Sequence, residues 1–581
     1  MRISRALVPA VLTALALCPS VSALASSPLP LPPTEARASL EAMVHLGAVS
    51  RADADRVIVE ESLPEPLLAA SESPGCGTVA LVQTTRWLRD RGVRVSFVSP
   101  PGQYHVTSAT FPIRVYYNVL GLAAKANDSL LDAEAAWQTQ VVERGYRSPW
   151  TGGDGDAVSL GMDYYFAVTD GTWSGLTIPL ADIPSTPICD CSTRILIDET
   201  LGGANLGSTI EHEFNHTTQA ATDCGESISA WENFATAVEY LAFPKNYELT
   251  HYDMAVFQAW PDYSLDFWTQ SPGATGPDEY YQYGASLFPI FLLERFGGND
   301  PVFLKDVWES FKENGTMTVS GTGASCDTGN VPDWFQGVDT LLKTTQSSSL
   351  KQAFNEFGEW RAVVGGWDDG AHFVDGKHYP LPTVTVELAT FPRSAWLDAR
   401  EYGTRYLEYV PNSESEGSLV VTITGKTETT WSGAILLWHE GVPVQRVDLV
   451  FDDATGIATA ETGPLLNVQR VLIFVSQLTD GTHSTDAQDY DNARFFKYAV
   501  TQQAGLDAGA PAGPDAAAPG LDASAVDAAI IDGWDTGAAT KADGGTSPHS
   551  GGGCGCSAAG APGALVGLLA RGLVFLKRRR P

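Results

Sequence analysis

The pentapeptide His212-Glu213-Phe214-Asn215-His216 places two histidines four residues apart, with a glutamate directly after the first. On an α-helix, residues i and i+4 lie on one face, so both imidazoles can reach the same metal ion. Asn205 or Ser208, upstream of the pentapeptide, could cap the helix that carries it. The spacing therefore predicts a metal-binding helix, with Glu213 beside the position at which a water molecule would be activated.

A third ligand is expected on a second helix, because a catalytic zinc ion takes three protein ligands and keeps one open position. The segment of about 229–242 has the apolar stripe of a helix, and it carries Glu232 sixteen residues after His216. Glu239, two turns further along the same face, is expected to hydrogen-bond a ligand imidazole. The alternative for both carboxylates is an ordinary place on a solvated helix face.

The stretch from Glu232 to Glu239, with the sequence ENFATAVE, resembles the helix that carries the third zinc ligand in gluzincin aminopeptidases. The resemblance implies a zincin-like catalytic domain with Zn²⁺ held by His212, His216 and Glu232. Asn233 replaces the glycine that usually follows the third ligand, and the G-x-M-E-N exopeptidase motif does not occur. Endopeptidase activity is therefore favoured over removal of terminal residues.

A second segment of the same resemblance is Tyr281-Gln282-Tyr283-Gly284, which is similar to the Y-x-x-G helix of that family. There the tyrosine three residues before the glycine stabilises the oxyanion of the tetrahedral intermediate, which implies this role for Tyr281. Tyr280 and Tyr283 are close competitors. The alternative is that these tyrosines are packing residues at the start of a helix.

These residues predict a zinc-dependent hydrolase that cleaves peptide bonds in extracellular proteins. Glu213 would act as the general base toward water and then as the acid toward the leaving amine. The expected partner is a protein or peptide substrate, and the chain is expected to be a monomer. Two alternatives stay open: a catalytically silent zincin-derived protein that binds surface polysaccharide or protein, and a hydrolase of a non-peptide amide.

The composition limits the class of partner. The 581 residues carry a formal net charge of −33, which argues against nucleic-acid binding because phosphate backbones need a basic surface. The acidic loops 154–156 and 489–492 lack the spacing of a defined calcium motif. A chain of this length is expected to form two or three domains.

Both ends of the chain resemble targeting segments. Residues 1–25 have the charged region, apolar region and Ala23-Leu24-Ala25 cleavage site of a signal peptide. Residues 503–553 are rich in Ala, Gly, Asp and Pro and predict a disordered linker. Residues 554–581 are similar to the sorting tail of myxobacterial surface proteins, with a Gly-Cys motif, a short apolar stretch and an arginine cluster. We therefore expect an exported protein, secreted or at the outer membrane surface, that touches a membrane only through this tail.

The region between the two ends divides into three segments with different predicted secondary structure. Residues 26–105 show helical patterns and could form a propeptide or a helical cap, and 106–380 combine strand patterns with later helices in the α+β order of a zincin. Residues 381–502 show short strand patterns separated by turns, typical of an antiparallel β-sandwich. This layout resembles that of secreted metallopeptidases from myxobacteria.

Five cysteines lie between the two terminal signals, and an exported protein can form disulfides. Cys189 and Cys191 are too close to bridge each other easily, so each is expected to have its own partner. A disulfide at Cys224 would brace the loop that leads to Glu232. The partners themselves cannot be deduced from the sequence, and Cys76 and Cys326 are the remaining candidates.

Overall fold

The structure is a computed structural model that describes residues 44, 49–60, 102–152, 157–167, 173–184, 186–242, 247–268, 276–277, 280–320, 323–412, 417–479 and 493–503. Several expected segments lie outside these residues: the expected signal peptide, most of 26–105, nearly all of the expected linker, the expected sorting tail, Cys76 and both acidic loops named above. A helix within the N-terminal region, α1, spans Arg51–Glu60.

A five-stranded sheet begins the region that contains the metal motif. Its strands are β1 (Tyr104–Thr107), β2 (Ile113–Tyr117), β5 (Met162–Ala167), β6 (Gly175–Asp182) and β7 (Cys191–Asp198), in the spatial order β1-β2-β5-β7-β6. Strands β2, β5 and β7 run parallel, whereas β6 pairs antiparallel with β7 at one edge. Two short strands, β3 (Trp150–Thr151) and β4 (Ser159–Leu160), form a separate ribbon.

Two helices cover one face of this sheet. Helix α2 spans Ala123–Ala136 and continues as a wider turn to Glu143, and helix α3 spans Gly203–Ala220. Their apolar side chains share one core with β2, β5 and β7, in which Trp137 of the α2 extension packs near Phe214 of α3. Helix α3 is buried along nearly its whole length, because the sheet lies on one side of it and further helices lie on the other.

The remaining helices form a second core that is rich in aromatic residues. They are α4 (Ile228–Ala242), α5 (Tyr247–Ala259), α6 (Tyr281–Gly284), α7 (Leu287–Arg295), α8 (Val302–Glu309), α9 (Trp334–Thr345) and α10 (Leu350–Trp360), with a hairpin of β8 (Met317–Ser320) and β9 (Gly323–Cys326). A Cβ added to Gly284 would lie 2.0 Å from the carbonyl oxygen of Asp253, so the glycine lets α6 approach α5 closely. The glycine of the Y-x-x-G segment therefore has a packing role.

The C-terminal region is rich in β-strands, as the sequence predicted. One sheet has the order β10 (Val386–Glu387), β12 (Gly403–Tyr409), β17 (Val468–Thr479), β14 (Thr430–His439) and β15 (Gln445–Asp448). The other has the order β11 (Arg393–Ala399), β18 (Arg494–Gln503), β13 (Ser418–Gly425) and β16 (Ile457–Glu461). Both sheets contribute to one buried core. The pairing is antiparallel except between β10 and β12, which run parallel.

The first of these two sheets is also covered on its other face. Tyr406 and Phe474 pack there with Val363, which follows α10, and a Cβ on Gly358 would lie 2.7 Å from the Phe474 ring. The hydroxyl of Tyr406 donates to the carbonyl oxygen of Gly358 at 2.7 Å. This double burial explains why nearly every residue of β14 and β17 is buried, on both faces of the sheet.

Two disulfides are present among the described residues, Cys189–Cys326 and Cys191–Cys224. The expectation that Cys189 and Cys191 have separate partners is therefore confirmed, and the partner of Cys191 is Cys224. Such bonds persist in oxidising compartments, in agreement with the expected export. Within the described ranges, no helix is both long enough and apolar enough to cross a membrane.

Candidate metal centre

Helix α3 presents both histidines of the pentapeptide to one carboxylate from helix α4. Nε2 of His212 lies 3.1 Å from Oε2 of Glu232, and Nε2 of His216 lies 3.3 Å from the same oxygen. His212 is 5% exposed, and the other two side chains are fully buried. The structure thus brings together the three ligands expected from the sequence in a buried His-His-Glu group that could hold a metal ion.

The turn between α3 and α4 helps to position Glu232 next to the two histidines. It is held to the sheet by the Cys191–Cys224 disulfide, and the backbone N–H of Cys224 donates to the carbonyl oxygen of Cys189 at 2.8 Å. The indole ring of Trp231 packs against His216, with ring centroids 5.4 Å apart. A covalent bond therefore fixes the turn that leads into α4, and aromatic packing holds α4 beside the site.

Each histidine is oriented by a partner on its other ring nitrogen. Oε2 of Glu239 lies 3.0 Å from Nδ1 of His212, and Oε1 of Gln219 lies 2.7 Å from Nδ1 of His216. Ser208 in turn hydrogen-bonds the other oxygen of Glu239. Such partners fix the tautomer and ring orientation that leave Nε2 available to a metal. Glu239 thus lies where the sequence analysis expected it.

Glu213 lies on the side of α3 that faces the edge strand β6. The hydroxyl of Thr177 donates to its Oε2 at 2.7 Å. A Cβ on Gly175 would lie 2.6 Å from both Cγ and Oε1 of Glu213, so a larger residue at this position would displace the carboxylate. The other oxygen, Oε1, is buried and has no hydrogen-bond partner among the described residues. One oxygen of Glu213 is therefore held by Thr177, and the other accepts no hydrogen bond from the described residues.

The pKa values of the Glu232 and Glu213 carboxyl groups are shifted in opposite directions. Burial opposes ionisation of Glu232, but the two adjacent imidazoles outweigh it and lower its pKa to about 2. Burial dominates at Glu213 and raises its pKa above the ordinary value, against the opposing effect of both histidines. An ionised ligand next to a carboxylate of raised pKa suits a site that needs one anion and one proton acceptor.

The donor set also fits a zinc ion chemically. Two imidazole nitrogens and one carboxylate oxygen form a His₂Glu set. Oε1 of Glu232 is buried and has no hydrogen-bond partner in the described part of the chain. A buried carboxylate oxygen without a donor is costly unless a cation satisfies it. The residues present thus fit a metal ion.

The structure does not bring Tyr281 to this group, which corrects the expected oxyanion role. Its hydroxyl donates to the backbone carbonyl oxygens of Tyr263 and Ser264, both at 3.1 Å, and its ring packs edge-on against Phe267. The residue is fully buried in the aromatic core. The first tyrosine of Y-x-x-G is directed inward because α6 is short and packs tightly against α5.

Tyr283, one of the two competitors, lies next to the site instead. Its ring centroid is 6.1 Å from that of His212, and the side chain is 6% exposed. The other competitor, Tyr280, packs against Tyr252 with ring centroids 5.3 Å apart. Tyr283 thus lies beside the ligand group, whereas the hydroxyl of Tyr281 is bonded elsewhere.

Sequence reasoning missed Thr177, Gly175 and Gln219. Gln219 lies three residues after His216, and this helical spacing was a usable signal. Strand β6 was not predicted, because Pro179 interrupts its pattern in a position that an edge strand tolerates. Thr177 and Gly175 could therefore not be assigned to the site without the sheet.

The chain was compared with protein families and known structures. No family model and no curated protein matches it. Among solved structures, the pre-peptidase C-terminal domain of collagenase from Bacillus anthracis is 8% identical, with a TM-score of 0.16 over 21% of this chain and 100% of that domain. PliG from Salmonella Typhimurium, a periplasmic inhibitor of g-type lysozyme, is 14% identical, with a TM-score of 0.13 over 21% of this chain and 100% of that chain. PliG from Aeromonas hydrophila is 17% identical, with a TM-score of 0.13 over 21% of this chain and 96% of that chain. Similarity at this level carries no argument about the site.

Proposed function

We propose that the chain is a zinc-dependent endopeptidase with a zincin-like catalytic region, and that it cleaves exported or extracellular proteins. The convergence of His212, His216 and Glu232 on one point, with Glu213 beside them, carries this proposal. Random placement of polar groups would not bury two imidazoles and two carboxylates side by side, because each desolvated charge needs compensation.

The role of each side chain follows from its contacts. His212, His216 and Glu232 would hold zinc, which supplies Lewis-acid polarisation of water and of the substrate carbonyl when it is bound. Glu213 takes a proton from the attacking water at Oε1 and passes it to the leaving amine. Thr177 holds the other oxygen of Glu213, so that the carboxylate stays in one orientation during both transfers.

The position of strand β6 supports a peptide substrate. This strand lies at the edge of the described sheet, and its residues Gly175 and Thr177 adjoin Glu213. An extended peptide can add to such an edge through main-chain hydrogen bonds, independently of its side chains. A bound peptide would then run past the Glu213 carboxylate, and cleavage within a chain would need no recognition of a terminus.

Casein hydrolysis by the full chain and by Glu213→Gln tests the proposal, with bound zinc measured in both proteins. We expect the variant to lose activity by at least about a hundredfold while it keeps its zinc. Glu211→Gln is the matched control, because Glu211 lies two residues away on α3 and instead contacts Gln140 at 3.0 Å. It should remain active.

The outcomes separate the enzyme from the alternatives. A chain that binds zinc but cleaves no protein would favour the silent binding protein, and cleavage of small amides alone would favour the non-peptide hydrolase. Full activity of Glu213→Gln would contradict the mechanism. Activity that is lost with 1,10-phenanthroline and regained with added zinc would support the metal dependence.

A further inference from the structure

An ion-pair cluster joins the helical part of the chain to the β-rich region. Residues 361–385 form the connecting segment between helix α10 and strand β10. The cluster, named the clasp, consists of Asp369 and His372 of this segment, Glu359 of α10 and Arg446 of β15. Its side chains are only 6–20% exposed. The clasp therefore lies at the junction and largely out of water.

Both ring nitrogens of His372 face carboxylate oxygens. Nδ1 lies 2.8 Å from Oδ1 of Asp369, and Nε2 lies 3.4 Å from Oε1 of Glu359. An ionised carboxylate can only accept hydrogen bonds, so each ring nitrogen must carry a hydrogen to make its contact. The ring of Trp360 packs edge-on against the imidazole, with ring centroids 5.4 Å apart. This geometry selects the imidazolium form of His372.

The second oxygen of each carboxylate contacts the β-rich region. Nη1 of Arg446, on β15, lies 2.5 Å from Oε2 of Glu359. The backbone N–H of Val444, just before β15, donates to Oδ2 of Asp369 at 3.0 Å. His372 thus lies between two carboxylates that are each bonded to the same edge of the β-rich region.

The charges of the clasp cancel only when His372 is protonated. Glu359 and Asp369 are negative, and Arg446 is positive and also pairs with Asp448 at 2.7 Å. Of the described residues, Glu359 and Asp369 are the charged groups that act on the imidazole. A neutral His372 would leave an uncompensated negative charge in a largely buried cluster, and one ring nitrogen would turn a lone pair toward a carboxylate.

The pKa values of the clasp agree with this geometry. Burial opposes the charge on His372, but the hydrogen bonds to Glu359 and Asp369 outweigh it and raise its pKa. Burial also opposes ionisation of the two carboxyl groups, yet the hydrogen bonds from His372 contribute to a lowered pKa of each. The histidine therefore stabilises the fold fully below about pH 6.5, and this stability is lost as the pH rises through its raised pKa. The carboxylates contribute above about pH 4 and lose their contribution on further acidification.

We propose that the clasp is a pH-sensitive device that holds the connecting segment against α10 and β15 in mildly acidic solution and releases it in alkaline solution. Release begins when His372 gives up a proton to solvent and loses the contact of that nitrogen with its carboxylate. Arg446 keeps its ion pair with Glu359, so the change is confined to the connecting segment and does not separate the two regions.

The connecting segment extends from the clasp to the helices around the metal centre. The backbone N–H of Val374 donates to Oε2 of Glu294 on α7 at 2.8 Å. The hydroxyl of Tyr240, on α4, donates to Oδ2 of Asp375 at 3.0 Å. Helix α4 also carries Glu232. Release of the clasp would therefore loosen a segment that contacts the helix of the third candidate ligand.

Thermal unfolding of the full chain and of His372→Gln from pH 5.5 to pH 8.5 tests the proposal. We expect the wild type to unfold roughly 2 °C above the variant at pH 5.5, and the difference to disappear by pH 8.5. Glu294, His251 and His378 also contact or belong to the connecting segment, and they are present in both proteins, so the subtraction isolates the clasp. Lys343→Gln, which removes an exposed positive charge on α9, is the control and should shift the midpoint equally at both pH values.

Hydrogen exchange locates the release within the chain. Exchange of residues 369–379 is measured by mass spectrometry and corrected for the intrinsic exchange rate at each pH. Protection of this segment in the wild type should fall by roughly tenfold from pH 5.5 to pH 8.5. His372→Gln should show the low protection at both pH values. Wild-type protection that does not change with pH would overturn the proposal.

A constant midpoint difference between the wild type and His372→Gln would show that His372 acts through packing alone, and would also overturn it. If His372→Gln does not fold, Asp369→Asn decides instead, because it leaves the imidazole with one charged partner. The segment should then be released at a lower pH than in the wild type, and release at the same pH would contradict the clasp. These readouts do not depend on hydrolysis, so the result is independent of the proposed peptidase activity.

Discussion

Oε2 of Glu239 lies 3.0 Å from Nδ1 of His212, across the imidazole ring from the nitrogen that faces Glu232. Both glutamates belong to α4, so one helix supplies a candidate metal ligand and also orients a second candidate ligand on α3. This relationship makes the geometry of the metal centre depend on how α4 packs against α3.

Removal of the Glu239 carboxylate should weaken metal binding. Glu239→Ala leaves all three ligands intact but frees the His212 ring, and partners of this kind typically contribute about 10- to 100-fold to metal affinity. Competition with a zinc chelator measures the affinity, and Glu428→Ala, in the β-rich region, is the control. Unchanged zinc affinity in Glu239→Ala would show that packing alone orients His212.

The Thr177 hydroxyl should matter for catalysis and not for metal binding. Thr177→Val keeps the shape of the side chain but removes the donor to Oε2 of Glu213. A hydrogen bond to a charged group is worth about 1.5–3 kcal/mol, so we expect kcat to fall by roughly tenfold or more with zinc retained. Thr177→Ser restores the hydroxyl and should recover most of the activity. Equal kcat for the valine and serine variants would contradict the role.

A methyl group at Gly175 should disturb the Glu213 carboxylate directly. The added Cβ would lie 2.6 Å from Oε1 of Glu213, a distance that forces one of the two groups to move. Gly175→Ala should therefore lose most of its activity and about 1–3 kcal/mol of stability while it still binds zinc. Gly121→Ala, where a Cβ meets nothing within 4 Å, is the control. A fully active Gly175→Ala would show that the strand can shift freely.

Glu294 gives a pH-dependent contribution to stability that can be isolated. Burial raises its pKa to about 7, against the opposing hydrogen bond from the Val374 backbone N–H. Because the folded chain keeps this proton when the unfolded chain has lost it, stability from this group falls as the pH rises from about 4.5 to 7. We expect the midpoint temperature of thermal unfolding of Glu294→Gln, minus that of the wild type, to increase from pH 5 to pH 8. A difference that is constant with pH would contradict the raised pKa.

The sequence by itself determined the local part of the site. Helical periodicity places His212, Glu213 and His216 on adjoining faces of one helix, whatever surrounds it. The same rule covers Gln219, three residues after His216, and the relation between Glu232 and Glu239 within α4. Alternation and turn residues likewise predicted a β-rich C-terminal region, because side-chain direction in a strand repeats every two residues.

Only the tertiary structure decided which residues from separate elements meet. Thr177 contacts Glu213 because β6 joins the edge of the sheet beside α3. No periodic pattern in the sequence predicts that β6 pairs at this edge. Tyr283 rather than Tyr281 adjoins His212, because the tight packing of α6 against α5 turns the first tyrosine into the core. Local periodicity determines the direction of side chains within one helix or strand. Contacts between helices and strands depend on how their whole faces pack, which only the folded chain determines.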